Sequence, residues 1–503
     1  MQERPDSPVS GYAGLAAAAV SESNRLPTRS PVHGLDRRGL DPLQVLAQSV
    51  AGAAPAAAMA ATPAIVAATA GGSTVWSFAV ATGLALLIGM CIGQFTHRMA
   101  AAGSLYSLTA QGLGPVSAFV SGCGLLIGYG VLAMAGFTGA AGYLSALLAR
   151  AGVGSTAGVF VTVVLALAAL AAVLMIRGIR PAVRLMLLIE ATSIVLMLVI
   201  FGALLVRHGV PHDLHRLGLP PPDLARAAAG VLPALGAFVG FEAAAAVGVE
   251  ARRPFRTVPW AVRSTAAVAG LLCLLAAYAQ QIGLADVRGG LAGQREPVDT
   301  LATTQRLPWL SALLEAGIAL SFFAAALASA TALVRVLFSM GREGIAPRPL
   351  GAAHPRHRTP HVAIAAALPL TATVPVAMRL AGVDTGRSLM ILLNTATFGY
   401  LVAYLLVCVA APVFLHRIGE LTIGPVVVTA ICAPALLTVL GAFLAAQSGR
   451  ALWAIGAALA AGTLWFAWLR TCRPRQLAAV GIYDETSTAD LLGAPEPASR
   501  DAA

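Results

Sequence analysis

Apolar stretches of about 20 residues or more recur along almost the whole length of the chain. A helix needs roughly 20 apolar residues to cross a bilayer core of about 30 Å. Because a spanning backbone must satisfy its own hydrogen bonds, only helices or closed barrels can do so. Charged residues make up 11% of the chain, and its mean hydropathy is +0.80. These values predict an all-α integral membrane protein rather than a soluble domain.

The apolar runs between charged or Pro/Gly-rich breaks predict twelve transmembrane helices, called spans 1 to 12 below. Spans 1–5 fall within residues 41–206, spans 6–10 within 226–412, and spans 11 and 12 within 424–471. Residues 1–40 and 473–503 are predicted to be disordered tails. Because the N-tail lacks the apolar core of a signal peptide, it is expected to stay uncleaved in the cytoplasm.

The arginines predict the orientation in the membrane. With the N-terminus inside, cytoplasmic segments hold about 22 of the 33 basic residues and the opposite side about ten. The positive-inside rule therefore predicts a multi-pass plasma membrane protein with both termini in the cytoplasm. The arginines lie in short loops rather than on one basic face, so we expect lipid and no nucleic acid as a partner. The oligomeric state is left open.

The cysteines do not suggest a metal site or disulfides. All six lie within or at the edge of apolar runs, with no CxxC pair and no histidine at metal-ligand spacing. We therefore expect no metal and no cofactor other than a coupling ion.

Two spans carry small residues and proline near their middle. Span 1, near residues 44–69, contains Ala51-Gly52-Ala53-Ala54-Pro55, and span 6, near 226–250, contains the segment Gly236–Glu242 after Pro233. Small residues can simply allow close helix packing. Interruptions at corresponding places of two halves, however, are typical of a transporter's central site. A broken helix frees N–H groups that suit a carboxylate and carbonyl groups that suit an ammonium group.

Few ionisable residues lie within the predicted spans, where a charged group costs at least about 2.5 kcal/mol. Glu190 lies in the middle of span 5 and either carries a proton or is a protonated acid bonded to a neighbouring helix. Glu242 directly follows the span 6 break and is either a proton acceptor or a hydrogen-bond anchor. Glu250 and Arg335 lie near the cytoplasmic edge, where snorkelling and salt bridging to loops are the commoner explanation. Phe238 and Phe241 flank the second break and could cap the site or pack.

In combination, four stretches resemble the amino acid, polyamine and organocation permease superfamily over roughly residues 40 to 470. The resemblance implies two inverted five-helix repeats with broken spans 1 and 6, two trailing helices, and secondary active transport by alternating access. The four stretches are the span 1 break with Pro55; Ala102-Gly103-Ser104-Leu105-Tyr106 with Gly112-Leu113-Gly114-Pro115; Phe238–Glu242 with Glu250-Ala251-Arg252-Arg253-Pro254 and Thr257-Val258-Pro259; and Arg335–Gly344 with Pro347 and Thr359-Pro360.

The resemblance also implies site residues. Substrate would bind backbone groups of Gly52, Ala53 and Ala54 in span 1 and of Val239, Gly240 and Phe241 in span 6. Tyr129 in span 3 and Ser329 in span 8 would complete the pocket. Many relatives have a Gly-x-Gly break in span 1, and some proton-coupled members have a lysine in span 5; this chain has neither. Glu190 lies near the corresponding position, so either it carries a proton or sodium binds near it with Ser329.

The predicted function is transport of an amino acid, with a proton as the preferred coupling ion and sodium as the alternative. An exchanger or a uniporter of amines or polyamines would use the same fold, with Glu190 and Glu242 as the only deep carboxylates to pair ammonium groups. A membrane-embedded enzyme would need clustered Asp or His or a metal motif near one membrane face, which is absent from the sequence. A membrane sensor without transport stays a further alternative.

Overall fold

A computed structural model describes residues 30–154, 156–208, 221, 223–294, 296–304, 308–447 and 449–485. Within them the chain is helical, and the one β-contact is an isolated bridge between Leu40 and Ala251. The α-helices are α1 (Pro42–Ala53), α2 (Pro55–Ala70), α3 (Thr74–Thr96), α4 (Leu105–Leu113), α5 (Pro115–Arg150), α6 (Ala157–Arg177), α7 (Ile179–His208), α8 (Leu224–Gly236), α9 (Pro254–Gly283), α10 (Pro297–Thr304), α11 (Pro308–Glu343), α12 (His361–Leu380), α13 (Thr385–Arg417), α14 (Ile423–Ala445), α15 (Gly449–Cys472) and α16 (Pro474–Ala478).

The described residues contain ten helical stretches that are long and apolar enough to cross a membrane. One of them, Pro42–Thr96, is 55 residues long and includes α1, α2, a short 3-10 turn at Gly71–Ser73, and α3. Helix α8 is apolar but shorter than a membrane span. The all-α membrane class predicted from the sequence is therefore found.

The break in span 1 lies at Ala54, between α1 and α2. Proline at position 55 has no N–H and disfavours the right-handed helical conformation of the residue before it. Ala54 adopts φ 45° and ψ 60°, in the left-handed region. This conformation costs a residue with a β-carbon about 1–2 kcal/mol. The surrounding packing must hold that strain, which is typical of functional sites.

The break in span 6 follows α8. After Gly236 the chain runs through turns to a 3-10 helix, Ala243–Glu250, instead of continuing as an α-helix. Gly240 has φ +92°, which only glycine adopts without strain. Both interruptions predicted from small residues and proline are therefore present.

The centre of the molecule is built on two long helices, α5 and α11, of 36 residues each. Glycine on α5 lets the two backbones approach: a β-carbon at Gly136 would lie 2.7 Å from the carbonyl oxygen of Phe322 on α11. Small residues drive helix association in membranes in this way. Helix α13 packs on α5 from the other side, with Gly399 against Gly124.

Both predicted disordered tails need correction. Residues 30–40 form turns in which Val32 and Leu35 are buried, and 473–485 contain α16 and an ordered segment. Their apolar and hydrogen-bonding side chains find partners on one end of the helix bundle, which we call the tail side. The predicted tail residues 1–29 and 486–503 lie outside the described residues.

Candidate substrate site between the two broken spans

The two breaks meet backbone to backbone. A β-carbon on Gly52 would lie 2.4 Å from the carbonyl oxygen of Gly240, and one on Gly240 would lie 2.4 Å from that of Gly52. The hydroxyl of Ser49 on α1 donates a hydrogen bond to the carbonyl oxygen of Phe241. The irregular parts of spans 1 and 6 thus support each other at one level of the bundle.

An open chamber begins at this contact and extends along α2, away from the tail side. Its walls come from both breaks and from α5, α11, α13 and α14, and nearly all of its lining residues are apolar or small. Every lining residue is uncharged. They are Gly52, Ala53, Ala54, Ala57, Ala58, Ala61, Thr62, Ile65, Leu132, Ala135, Gly136, Leu232, Pro233, Gly236, Ala237, Val239, Phe322, Ala325, Leu393, Asn394, Thr397 and Phe443.

Half of the predicted binding residues line this chamber. Gly52, Ala53, Ala54 and Val239 do so. Phe238, Gly240, Phe241 and Tyr129 are not among its lining residues, and the three aromatic side chains are at most 1% exposed. These three side chains are therefore buried in the protein interior and do not face the open space.

The polar residues of the lining were not predicted from the sequence. Thr62 and Thr397 donate to carbonyl oxygens of their own helices, Ala58 at 2.6 Å and Leu393 at 2.8 Å. Asn394 on α13 is exposed to the chamber, and its amide has no recorded hydrogen bond to the described residues. An amide within the apolar run of span 10 was the available signal, since such a group needs a partner in a membrane.

Glu190 on α7 caps the second half of span 1. The backbone N–H of Ala56 donates to Glu190 Oε1 at 3.0 Å, and that of Ala57 donates to Ser321 Oγ at 3.1 Å. Ser321 in turn donates to the same carboxylate oxygen at 3.0 Å. Ala54, at the N-cap position of α2, has no side chain that could do this. A carboxylate from a distant span therefore lies at the positive end of the α2 dipole.

This arrangement changes the expected role of the first break. The sequence suggests that the freed amides of span 1 are available to a substrate carboxylate, but in the structure Glu190 and Ser321 occupy those of Ala56 and Ala57. Glu190 is 1% exposed, and its Oε2 has no partner among the described residues. Ser321 was not singled out from the sequence, because serine is common in membrane helices.

Glu242 anchors a buried polar layer on the tail side of the breaks. It accepts a hydrogen bond from the hydroxyl of Tyr129 at 2.9 Å and another from the hydroxyl of Tyr404. The Tyr129 hydroxyl also lies 3.0 Å from Ser104 Oγ. Glu242 is fully buried. The carboxylate thereby connects the span 6 break to α5 and α13.

Ser329 lies in the same buried layer, beside the ring hydroxyl of Tyr400, and does not line the chamber. Gln48 on α1 extends the layer, since its Nε2 donates to the carbonyl oxygen of Ala328 at 2.9 Å. Oε1 of Gln48 is buried without a hydrogen-bond partner among the residues described. The layer is thus polar, buried and incompletely paired.

One buried ion pair closes the tail side of span 6. Arg335 on α11 binds Glu250 with two hydrogen bonds, Nε to Oε2 at 3.0 Å and Nη2 to Oε1 at 2.9 Å. Both side chains are at most 4% exposed. Bidentate geometry of this kind makes a strong and directional contact. The sequence favoured snorkelling or salt bridges to loops for these two residues; in the structure they are buried and pair with each other.

The part of the chain that the structure describes holds no group of three or more His, Cys, Asp or Glu side chains arranged for a metal ion. The groups that could bind a ligand at the chamber are therefore backbone dipoles and the side-chain amide of Asn394. The Glu190 carboxylate lies close by, at the N-terminus of α2.

Comparison with known proteins gives a consistent result. Residues 42–469 match the family described as amino acid permease. A branched-chain amino acid permease of Bacillus subtilis is 26% identical over 324 residues, covering 59% of this chain and 65% of the relative. A methylthioribose transporter of the same species is 25% identical over 304 residues, covering 58% and 64%. The human cationic amino acid transporter 4 is 26% identical over 351 residues, covering 64% and 53%. Each match spans less than two thirds of the relative's length.

Proposed function

Because the chain belongs to the amino acid permease family, we propose that it is a secondary active transporter that carries an uncharged amino acid across the cell membrane by alternating access. The observation that carries this proposal is the chamber at the contact of two broken spans, Gly52 against Gly240. The similar proteins named above are permeases and transporters, which favours transport over an enzyme or a sensor.

The proposed architecture has twelve spans in two inverted repeats. Counting Pro42–Thr96 as two spans and the broken segment 224–250 as one gives twelve from the ten long helical stretches. The proposed orientation has the tail side in the cytoplasm, because the excess of arginines lies in loops on that side. The chamber then extends toward the outside of the cell.

The proposed substrate is a zwitterion with an uncharged side chain. Helix α1 ends at Ala53, so its last carbonyl groups have no partner within the helix and suit an ammonium group. The apolar wall around Leu132, Ala135 and Phe322 suits an aliphatic side chain. A cationic side chain would lie there without a carboxylate to pair it, which is costly in an apolar environment. Amines and polyamines are disfavoured for the same reason.

The proposed coupling ion is a proton, bound at Glu190. While Glu190 is ionised, its charge occupies the positive end of α2 and repels a second carboxylate. A proton on Glu190 removes that charge, so that the amide end of α2 can attract the carboxylate of the substrate. Proton and substrate would then favour each other's binding by linkage. Sodium coupling predicts instead that a cation strengthens substrate binding while Glu190 stays ionised.

Alternating access is supported by the incompletely paired polar layer around Gln48 and Glu242. A buried polar atom without a partner, such as Oε1 of Gln48, costs about 1–3 kcal/mol. Such a cost is tolerable if these atoms gain hydrogen-bond partners in a second state that is open to the cytoplasm. The polar layer then lines the exit path, and the Arg335–Glu250 pair closes it in the state described here.

Uptake into proteoliposomes tests the proposal. Labelled leucine, valine, threonine, arginine and putrescine would be compared under a pH gradient, a sodium gradient or neither. We expect accumulation of an uncharged amino acid that depends on the pH gradient and not on sodium. Uptake of putrescine or arginine alone would contradict the substrate class, a sodium requirement would contradict the coupling ion, and no uptake of any amino acid would contradict transport itself.

A further inference from the structure

The two ordered terminal segments are joined to each other by one carboxylate. Asp484 Oδ1 accepts a hydrogen bond from Ser30 Oγ at 2.8 Å and pairs with Arg37 Nη2 at 2.8 Å. The backbone N–H of Asp484 donates to the carbonyl oxygen of Ala100 at 2.8 Å. We call Ser30, Arg37 and Asp484 the tail latch.

The N-terminal side of the tail latch is fastened to the two broken spans. Residues 30–40 lead directly into α1, the first half of span 1. They also run beside the end of the span 6 segment: Arg38 N–H donates to Val249 O at 3.1 Å, Leu40 N–H to Glu250 O at 2.7 Å, and Arg252 N–H to Leu40 O at 2.9 Å. The tail-side ends of spans 1 and 6 thus form one unit with residues 30–40.

The C-terminal side of the tail latch is fastened to α11 and α4. Glu343, the last residue of α11, accepts hydrogen bonds on Oε1 from the backbone N–H groups of Gly481 at 2.7 Å and Ile482 at 2.8 Å. Its other oxygen accepts a hydrogen bond from the hydroxyl of Tyr106 on α4. Gln111, also on α4, donates to the carbonyl oxygen of Gly481 at 3.0 Å.

We propose that Asp484 and its contacts form an intramolecular latch that holds the tail side closed and must release before the substrate can leave into the cytoplasm. The inference rests on the proposed function, since it names a control on the same transport cycle. Asp484 holds Arg37 and Ser30, and Glu343 holds the segment around Asp484. Together with the hydrogen bond that Arg342 Nη2 on α11 donates to the carbonyl oxygen of His33 at 2.8 Å, these contacts oppose movement of spans 1 and 6 away from α11 on the tail side. The Arg37 and Asp484 side chains are 15% and 8% exposed, so the pair is only slightly exposed to solvent.

Hydrogen–deuterium exchange of the full chain in lipid nanodiscs tests the latch. The variant Asp484→Ala removes the shared acceptor, and Glu420→Ala is the matched control, because it removes an exposed ion pair with Arg98 (2.7 Å) elsewhere. We expect Asp484→Ala to speed exchange of the Arg38, Leu40 and Arg252 amides by about two- to fivefold, the range for a partly exposed ion pair. The double charge reversal Arg37→Asp with Asp484→Arg should restore slow exchange.

Unchanged exchange at these amides in Asp484→Ala would overturn the latch. A uniform increase that includes α6 and α12 would also overturn it, because it would indicate a general loss of stability. Uptake by the same proteins reconstituted into proteoliposomes separates the two proposals. A wild-type protein that takes up no amino acid contradicts the proposed function, whereas normal wild-type uptake with unaltered exchange in Asp484→Ala contradicts the latch alone.

Discussion

Gly52 and Gly240 lie so close that neither tolerates a side chain: a β-carbon on either would come within 2.4 Å of the other residue's carbonyl oxygen. The contact joins the last turn of α1 to the left-handed residue of the span 6 break. The backbone of both broken segments is irregular at this level, and the chamber begins there. The dimensions of the proposed substrate site therefore depend on glycine at both positions.

Gly52→Ala is expected to lower the initial rate of amino acid uptake by at least about fivefold, because one extra methyl in a tight contact costs about 1–3 kcal/mol. The matched control is Gly93→Ala on α3, where an added β-carbon meets nothing within 4 Å. Uptake into proteoliposomes at equal protein content measures both. Normal uptake by Gly52→Ala would mean that the breaks do not need this contact.

Glu190→Gln is expected to keep substrate binding and counterflow exchange but to abolish accumulation driven by a pH gradient. The amide preserves the acceptor for the Ala56 N–H, while it can no longer gain or lose a proton. Binding by the variant should also lose its dependence on pH. The control is Glu420→Gln, whose carboxylate pairs with Arg98 at the surface.

Accumulation by Glu190→Gln equal to that of the wild type would exclude Glu190 as the proton carrier. Ser321→Ala provides a second check, since Ser321 shares the carboxylate oxygen but cannot carry the charge. We expect this variant to bind substrate more weakly and to retain proton-driven uptake.

The sequence predicted the helical membrane class and both breaks, because proline and glycine act locally on the backbone. It did not predict the partners of the buried carboxylates. Glu242 meets Tyr129 and Tyr404 across 113 and 162 positions of the chain, and Glu190 meets Ala56 across 134. Such pairs depend on how the spans pack. The described parts of the predicted tails differ from the prediction for a similar reason, since residues 30–40 and 481–484 are ordered by contacts with each other and with loop and helix ends.

Asn394→Leu is expected to shift selectivity toward aliphatic amino acids. Asn394 offers the chamber an amide that its own helix does not use, whereas the hydroxyl of Thr397 is bonded to Leu393 O at 2.8 Å. Losing one hydrogen bond costs about 0.5–1.5 kcal/mol, so affinity for threonine or glutamine relative to leucine should fall about two- to tenfold.

Competition binding with labelled leucine measures the selectivity of Asn394→Leu. Thr397→Val is the matched control and should leave the ratio of affinities nearly unchanged. An equal loss for all amino acids in Asn394→Leu would indicate a packing role, and an unchanged ratio would remove Asn394 from the specificity site.

Arg335→Met is expected to destabilise the protein by about 3–5 kcal/mol, because it leaves the Glu250 carboxylate buried and unpaired. The double variant Arg335→Met with Glu250→Leu should be markedly more stable than the single variant, since no charge then remains at the 2.9 Å contact. Unfolding in SDS titrations gives the free energies. If both variants are equally unstable, the pair is not a desolvated ion pair in the folded protein.

Gln280→Leu is expected to destabilise the protein by about 1–2 kcal/mol, because it leaves one buried carbonyl group without a hydrogen-bond donor. Pro63 lies within α2 and has no N–H, so the carbonyl of Met59 four residues earlier loses its helical donor. Nε2 of Gln280 on α9 replaces that donor at 2.7 Å, and Gln280 is fully buried. The control is Gln281→Leu, which removes an exposed bond of 3.1 Å to Gly72 O and should change stability little.

Pro63→Ala tests the cause of this destabilisation, because alanine restores an N–H that can donate to the Met59 carbonyl. In a double-mutant cycle, Gln280→Leu should then cost less in the Pro63→Ala background than in the wild type. SDS titration of the four proteins measures the coupling energy. Additive costs would show that Gln280 stabilises the fold by packing. A positive coupling energy would show that α9 supplies the hydrogen-bond donor that Pro63 lacks.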